Sequence, residues 1–136
     1  MSSVPCDLLY SSDNKEWLKA RIIWLKEKGI NNIIQSHMFE KKLYQTEVNF
    51  RKYLAITTYW NIEKTKIFIL DATDKISQDN LIELGIAIGN GAFIIIIGKL
   101  DDETFLSTLS TIVYLDDWKY LPEILNTLIE KFHIGE

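Results

Sequence analysis

The sequence lacks the residues on which several kinds of site depend. Cys6 is its only cysteine, which excludes an internal disulfide and a cysteine-based metal site. Its two histidines, His37 and His133, lie far apart along the chain, so a Ser-His-Asp triad or a zinc site would depend on the fold to recruit one of them. Neither a P-loop nor a G-x-G-x-x-G pattern is present, so nothing supports an ATPase or a classical dinucleotide-dependent dehydrogenase.

Long hydrophobic runs are also missing. The longest, residues 92–97, is far too short to span a bilayer, and the opening MSSVPCDLL has neither the basic nor the apolar region of a signal peptide. The net charge of -4 argues against a broad nucleic-acid-binding surface. We therefore expect one cytoplasmic domain over residues 1–136, with no nucleic-acid or membrane partner.

Short apolar segments alternate with helical patterns along the chain. Strands are predicted at 6–10, around Ile33 and Ile34, and at 66–71, 92–98 and 110–117, with helices at 14–29, within 37–66, at 79–91 and at 117–132. Strands joined through helices run parallel with right-handed crossovers. The order strand–helix, repeated along the chain, predicts an α/β flavodoxin-like three-layer domain with a five-stranded parallel sheet in the order 2-1-3-4-5.

Polar residues gather where the predicted strands end. In such a sheet, ligands bind beyond the carboxyl ends of the strands, at the switch between strands 1 and 3. The residues that leave those two strands are therefore the candidates for a site. They are Tyr10 and Ser11 at the end of the first strand, and Asp71, Thr73, Asp74 and Ser77 at the end of the third strand and in the loop that follows it.

The segment DNLIELGIAIGNG, residues 79–91, places one carboxylate, Glu83, in an otherwise apolar helix. We expect Glu83 in about the first turn, where unpaired N–H groups and the helix dipole stabilise an anion. A held carboxylate can attack or shield a sugar carbon whose leaving group departs. Tyr10 is expected to position this carboxylate, Ser77 to contact a sugar or phosphate, and Gly85 to let the helix pack closely on the sheet.

Each of these residues also has a structural interpretation. Asn80-x-x-Glu83 resembles a capping box, in which Glu83 only closes the helix end. Ser77 suits an N-cap, Asp71 and Asp74 suit turn hydrogen bonds, and Tyr10 suits a packed aromatic at a strand end. Ser11, Ser12 or Asp13 would likewise cap the first helix.

The stretch ILDATDKISQDNLIELGIAIGNGAFIIII resembles the core motif of the nucleoside 2-deoxyribosyltransferase family. The spacing of Ser77 and Glu83 matches that family's pattern, and Tyr10 matches the tyrosine after its first strand. The resemblance implies that Glu83 is the nucleophile of an N-glycosidase or transferase acting on a nucleoside or nucleotide. It also implies catalytic roles for Tyr10 and Asp71, substrate contacts for Ser11, Thr73, Asp74, Ser77 and Gly85, no cofactor, and a homo-oligomer.

Two alternatives stand beside this interpretation. DLLYSSDNKEWL and QDNLIELGIAIG are similar to TIR and bacterial TIR-like domains, which share the fold and use a glutamate to cleave NAD. The TIR pattern usually has a Trp shortly before that glutamate, and it is missing here. The third interpretation is a non-catalytic nucleotide-binding module. It is favoured by LAITTYWNIEK, which lacks the base-facing Asp of the transferase family.

Overall fold

A computed structural model describes residues 8–12, 14–31, 33–35, 60–73, 76–98 and 112–132. The elements are β1 (Leu8–Ser12), α1 (Lys15–Glu27), β2 (Ile33–Gln35), β3 (Ile67–Ala72), α2 (Gln78–Gly89), β4 (Phe93–Gly98), β5 (Ile112–Leu115), a 3-10 turn (Trp118–Tyr120) and α3 (Leu121–Phe132). The strands are all parallel in the order β2-β1-β3-β4-β5, which confirms the predicted flavodoxin-like sheet.

Only part of the predicted helical layer falls within these ranges. Of the helix predicted within 37–66, the structure describes a single helical turn over 60–63. Residues 99–111, between β4 and β5, lie outside the described residues. No helix in the described part of the chain is both long enough and apolar enough to cross a membrane.

Two apolar clusters cover the two faces of the sheet. On one face, alternate residues of β1, β3 and β4 pack against α1 and α3; on the other, the intervening residues pack against α2 and Ile62. Successive side chains of a strand point to opposite faces, so strands buried on both faces consist of continuous apolar runs. Residues 67–70 and 93–97 follow this rule, and β3 ends with the buried polar residue Asp71 and with Ala72.

The strand at the sheet edge departs from that pattern. β5 consists of apolar residues, yet Val113 and Tyr114 are 38% and 37% exposed. β5 pairs with β4 alone, so its other edge has no neighbouring strand in the described sheet. Its apolar composition therefore indicates a strand, but not full burial.

The helices begin at polar caps. The side chain of Asn14 accepts a hydrogen bond from the Trp17 N–H and caps α1, so the expectation that Ser11, Ser12 or Asp13 caps this helix is wrong. Ser12 instead accepts a hydrogen bond from the Asn14 N–H with its hydroxyl, which supports the cap from the end of β1. The chain therefore passes from strand to helix within two residues.

Two glycines have opposite environments. Gly98 ends β4 with φ +89°, and a Cβ there would lie 2.8 Å from the carbonyl oxygen of Ala72 on β3. Gly85 is exposed in α2, and a Cβ there would meet no atom within 4 Å. The expectation that Gly85 lets the helix approach the sheet is therefore wrong, because its missing side chain faces away from the sheet.

We predict opposite effects of the same substitution at these glycines. Gly85→Ala raises the free energy of unfolding by about 0.5–1 kcal/mol, since alanine loses less backbone entropy in a helix. Gly98→Ala lowers it by about 2 kcal/mol or more, because the left-handed backbone and the contact with Ala72 both oppose a side chain. Urea denaturation measures both values. A loss of stability in Gly85→Ala would contradict the exposed position of Gly85.

Candidate functional site

The candidate residues at the carboxyl edge of the sheet form two clusters on opposite faces. Tyr10 and Asp71 face α1 and α3, whereas Ser11 faces α2 and Glu83. The strand alternation causes the separation, because Tyr10 and Ser11 are adjacent in β1. The residues expected to act together are thus divided by the sheet itself.

The first cluster surrounds Glu83. Its side chain is fully buried, and its Oε1 accepts a hydrogen bond of 2.8 Å from the Ser11 hydroxyl. Ser11 in turn accepts a hydrogen bond of 2.8 Å from the side-chain amide of Asn80, which is also buried. These polar groups lie beside an apolar cluster that includes Leu70 and Leu84. A buried carboxylate in such surroundings depends on hydrogen-bond donors that are held in place.

The start of α2 differs from the prediction in one respect. Ser77 is the N-cap and forms a capping box with Asn80, so the N-cap interpretation of Ser77 is confirmed. A capping box between Asn80 and Glu83 is wrong, because Asn80 is the third residue of the helix. Glu83 is the sixth, which puts it in the second turn, beyond the unpaired N–H groups. The hydroxyl of Ser11 in β1 donates to Glu83, a contact that the predicted position at the helix end does not include.

The second cluster surrounds Asp71, which is also buried. Its Oδ2 accepts a hydrogen bond of 2.6 Å from the Tyr10 hydroxyl and forms an ion pair with Arg21. Its Oδ1 accepts hydrogen bonds from the backbone N–H and the hydroxyl of Thr73, at 3.2 and 2.6 Å. The turn interpretation of Asp71 is thus confirmed. The hydroxyl of Tyr10 is directed to Asp71, so its expected contact with Glu83 is replaced by that of Ser11.

Aromatic rings enclose the charge that neutralises Asp71. The guanidinium carbon of Arg21 lies 4.7 Å from the ring centre of Trp17 and 5.0 Å from that of Trp118, within cation–π range. Burial lowers the pKa of Arg21, an effect that the nearby Tyr10 and Asp117 oppose. Burial raises the pKa of Tyr10, while the charge of Arg21 acts in the opposite direction. At neutral pH the cluster therefore holds a neutral phenol and a paired guanidinium.

Two members of these clusters were not predicted, although the sequence contains a signal for each. Arg21 lies three residues after Leu18 and four before Leu25, which places it beside the buried stripe of α1. Asn80 follows Ser77 by three residues, which is the spacing of a capping box. The capping box predicted from the sequence pairs Asn80 with Glu83 instead. Asp74, a predicted substrate contact, lies outside the described residues.

Other features of the described residues lie away from this edge. A cleft of about 370 Å³ opens at the opposite, amino edge of the sheet, where Lys64, Lys66 and Phe93 line it. The part of the chain that the structure describes holds no group of three or more His, Cys, Asp or Glu side chains suited to a metal ion. Within the described residues, the buried ionisable side chains all lie in the carboxyl-edge clusters, namely Tyr10, Arg21, Asp71 and Glu83.

Comparisons with known proteins provide no family for this chain. A scan against protein-family models finds no match, and a search of curated proteins finds no relative of significant similarity.

We predict that Arg21→Met lowers the free energy of unfolding by about 3 kcal/mol, because it leaves the buried Asp71 carboxylate without its charge partner. Lys19→Met, at an exposed position of the same helix, is the matched control and is expected to stay within about 0.5 kcal/mol of wild type. Urea denaturation at neutral pH compares the two. Equal effects would show that the ion pair does not stabilise the fold.

We also predict that stability falls as the pH rises above about 10, the ordinary pKa of tyrosine. The pKa of Tyr10 is raised in the folded protein, so above that pH the unfolded chain releases the proton first and unfolding is favoured. Tyr10→Phe should reduce the fall in stability with rising pH, whereas Tyr120→Phe, at an exposed position, should leave that fall unchanged. Denaturation midpoints measured from about pH 8 to about pH 11 test the difference, and parallel slopes in both variants would contradict it.

Proposed function

We propose that the protein cleaves the N-glycosidic bond of a nucleoside or nucleotide with the Glu83 carboxylate as nucleophile. The observation that supports this most is the burial of Glu83 at the switch point between β1 and β3, where Ser11 of β1 donates to it. Ligands of open parallel sheets bind at this edge. A buried carboxylate at that place is a candidate catalytic group because buried ionisable side chains concentrate at functional sites.

The two buried carboxylates of the described residues suit different tasks. Asp71 forms an ion pair with Arg21 and accepts three hydrogen bonds, so both of its oxygens are occupied by contacts within the fold. The Ser11 hydroxyl donates to Glu83 and orients one of its oxygens at the switch point between β1 and β3. Because the oxygens of Asp71 are already bound within the fold, we assign the nucleophile to Glu83 and a structural role to Tyr10 and Asp71.

The reaction has two steps. A Glu83 oxygen attacks the anomeric carbon, the carbon–nitrogen bond breaks, and the electron pair leaves with the base, which takes up a proton from solvent unless it departs from a cationic form. Water, or a second base, then attacks the same carbon, loses a proton to solvent and releases the carboxylate as the bond between carbon and Glu83 breaks. Water yields the free sugar and a second base yields a new nucleoside. Because Glu83 is fully buried, a substrate reaches it only when side chains at the carboxyl edge move.

Two further candidates use the same residues. A TIR-like reaction would cleave NAD at Glu83 and release nicotinamide, and it is separated from the first proposal by substrate alone. A non-catalytic nucleotide-binding module is favoured by one observation, the complete burial of Glu83 within hydrogen bonds that also cap α2. We further propose a homo-oligomer, which sedimentation analysis would test.

We predict base release that depends on Glu83. Wild-type protein is incubated with nucleosides, deoxynucleoside monophosphates and NAD, and released base is measured by chromatography. Glu83→Gln keeps the shape and an acceptor for Ser11 but removes the nucleophilic charge, so release should fall by about 10³-fold or more. Deoxynucleoside cleavage would favour the first proposal, and nicotinamide release the second.

The matched control is Glu130→Gln, the same substitution at an exposed position of α3, which should leave release unchanged. Thermal unfolding of both variants verifies that they are folded. The proposal fails if wild type releases no base from any of these substrates, or if folded Glu83→Gln retains full activity. Ligand binding without release would indicate the non-catalytic module.

A further inference from the structure

A continuous chain of hydrogen bonds connects the cap of α2 to Glu83. The Asn80 Oδ1 accepts from the backbone N–H and the hydroxyl of Ser77, at 3.0 and 2.9 Å. The Asn80 Nδ2 donates to the Ser11 Oγ, and the Ser11 Oγ donates to the Glu83 Oε1, each at 2.8 Å. Asn80, Ser11 and Glu83 are all buried, so the two bonds that join them are made away from water, whereas the bonds from Ser77 are half-buried.

The direction of every bond in this chain follows from its first member. A backbone N–H can only donate, so the N–H of Ser77 must face the oxygen of the Asn80 amide. The nitrogen of that amide then faces Ser11 and can only donate to it. Ser11 has one hydroxyl proton, and with its oxygen already accepting from Asn80, that proton is directed to Glu83.

We infer that Asn80 is a positioning residue that acts through Ser11 to hold Glu83 as a hydrogen-bond acceptor. Its role in catalysis rests on the proposed function, whereas the direction of the hydrogen bonds does not. Asn80 and Glu83 are three residues apart, which places both on the face of α2 that meets β1. One hydroxyl of β1 therefore contacts both polar side chains of this face, accepting from Asn80 and donating to Glu83.

One substitution separates the cap from the connection to Glu83. Asn80→Asp retains an acceptor for Ser77, and an acidic residue suits the first turn of a helix. It removes the donor to Ser11. The new carboxylate at position 80 and that of Glu83 then compete for the one hydroxyl proton of Ser11. Like charges in one buried site repel, and protonation of either relieves the repulsion.

The test is a double-mutant cycle at two pH values. Wild type, Asn80→Asp, Glu83→Gln and the double variant are unfolded in urea at about pH 5 and about pH 8. In the folded Asn80→Asp variant, the two neighbouring carboxylates bind a proton more tightly than they do in the unfolded chain. The free energy of unfolding of this variant should therefore fall as the pH rises and that proton is lost. Its midpoint urea concentration should be clearly lower at the higher pH, and Glu83→Gln should remove most of that difference.

Two results would overturn the inference. One is that Asn80→Asp lowers the midpoint urea concentration by the same amount at both pH values. The other is that the pH dependence of this midpoint persists unchanged when Glu83→Gln is also present. If Asn80→Asp does not fold at either pH, the cycle of Asn80→Ala with Ser11→Ala replaces it. Losses in that cycle that are clearly non-additive support the direct hydrogen bond, and additive losses contradict it.

Activity provides a separate result. With a substrate that wild type cleaves, Asn80→Asp should lower kcat about tenfold or more and change KM by about twofold or less, because a positioning residue acts on the reacting group. A change in KM alone would overturn the positioning role. If wild type releases no base at all, the proposed function fails, and the urea cycle still decides the hydrogen-bond chain.

Discussion

The alternation of side chains along β1 is the constraint on which both carboxyl-edge clusters depend. Tyr10 faces α1 and donates to Asp71, while Ser11, the next residue, faces α2 and donates to Glu83. The parallel pairing of β1 with β3 maintains this arrangement, with Ser12 opposite Asp71. A shift of one residue in that register would turn each hydroxyl to the other face and remove both donors. The continuous burial of both strands opposes such a shift, because their apolar residues fill the two layers above and below.

The two buried carboxylates of the described residues lie in different hydrogen-bonding environments. Asp71 binds a guanidinium that lies between two tryptophans, so it links β3 to α1 and to the 3-10 turn after β5. Its bonds to Thr73 hold the first residue of the loop that leads to α2. This cluster therefore joins three elements at the edge of the sheet. On the opposite face of the sheet, the Ser11 hydroxyl donates to Glu83 and orients one of its oxygens.

The orientation of α2 is determined more by polar contacts than by its apolar stripe. Leu81 and Ile82 are 47% and 56% exposed, so apolar residues lie on the outer face as well as the inner one. Burial alone therefore does little to select one rotation of this helix about its axis. Two hydrogen bonds at Ser11, one accepted from Asn80 and one donated to Glu83, favour the observed rotation, because a buried polar group without a partner is costly. The same contacts with Ser11 thus favour one rotation of α2 and orient the carboxylate of Glu83.

The sequence by itself determined the strands, their parallel order and most of the residues at the carboxyl edge, but not Arg21 and Asn80. Apolar runs such as 67–70 and 93–97, and the capping residue Ser77, are local patterns, and local patterns follow from the period and the ends of single elements. Only the tertiary structure decided which of those residues meet. The partner of Tyr10 depends on the register between strands, and the burial of Arg21 depends on Trp118 of a distant segment. Contacts between elements far apart in the chain are set by packing, which no local window of sequence contains.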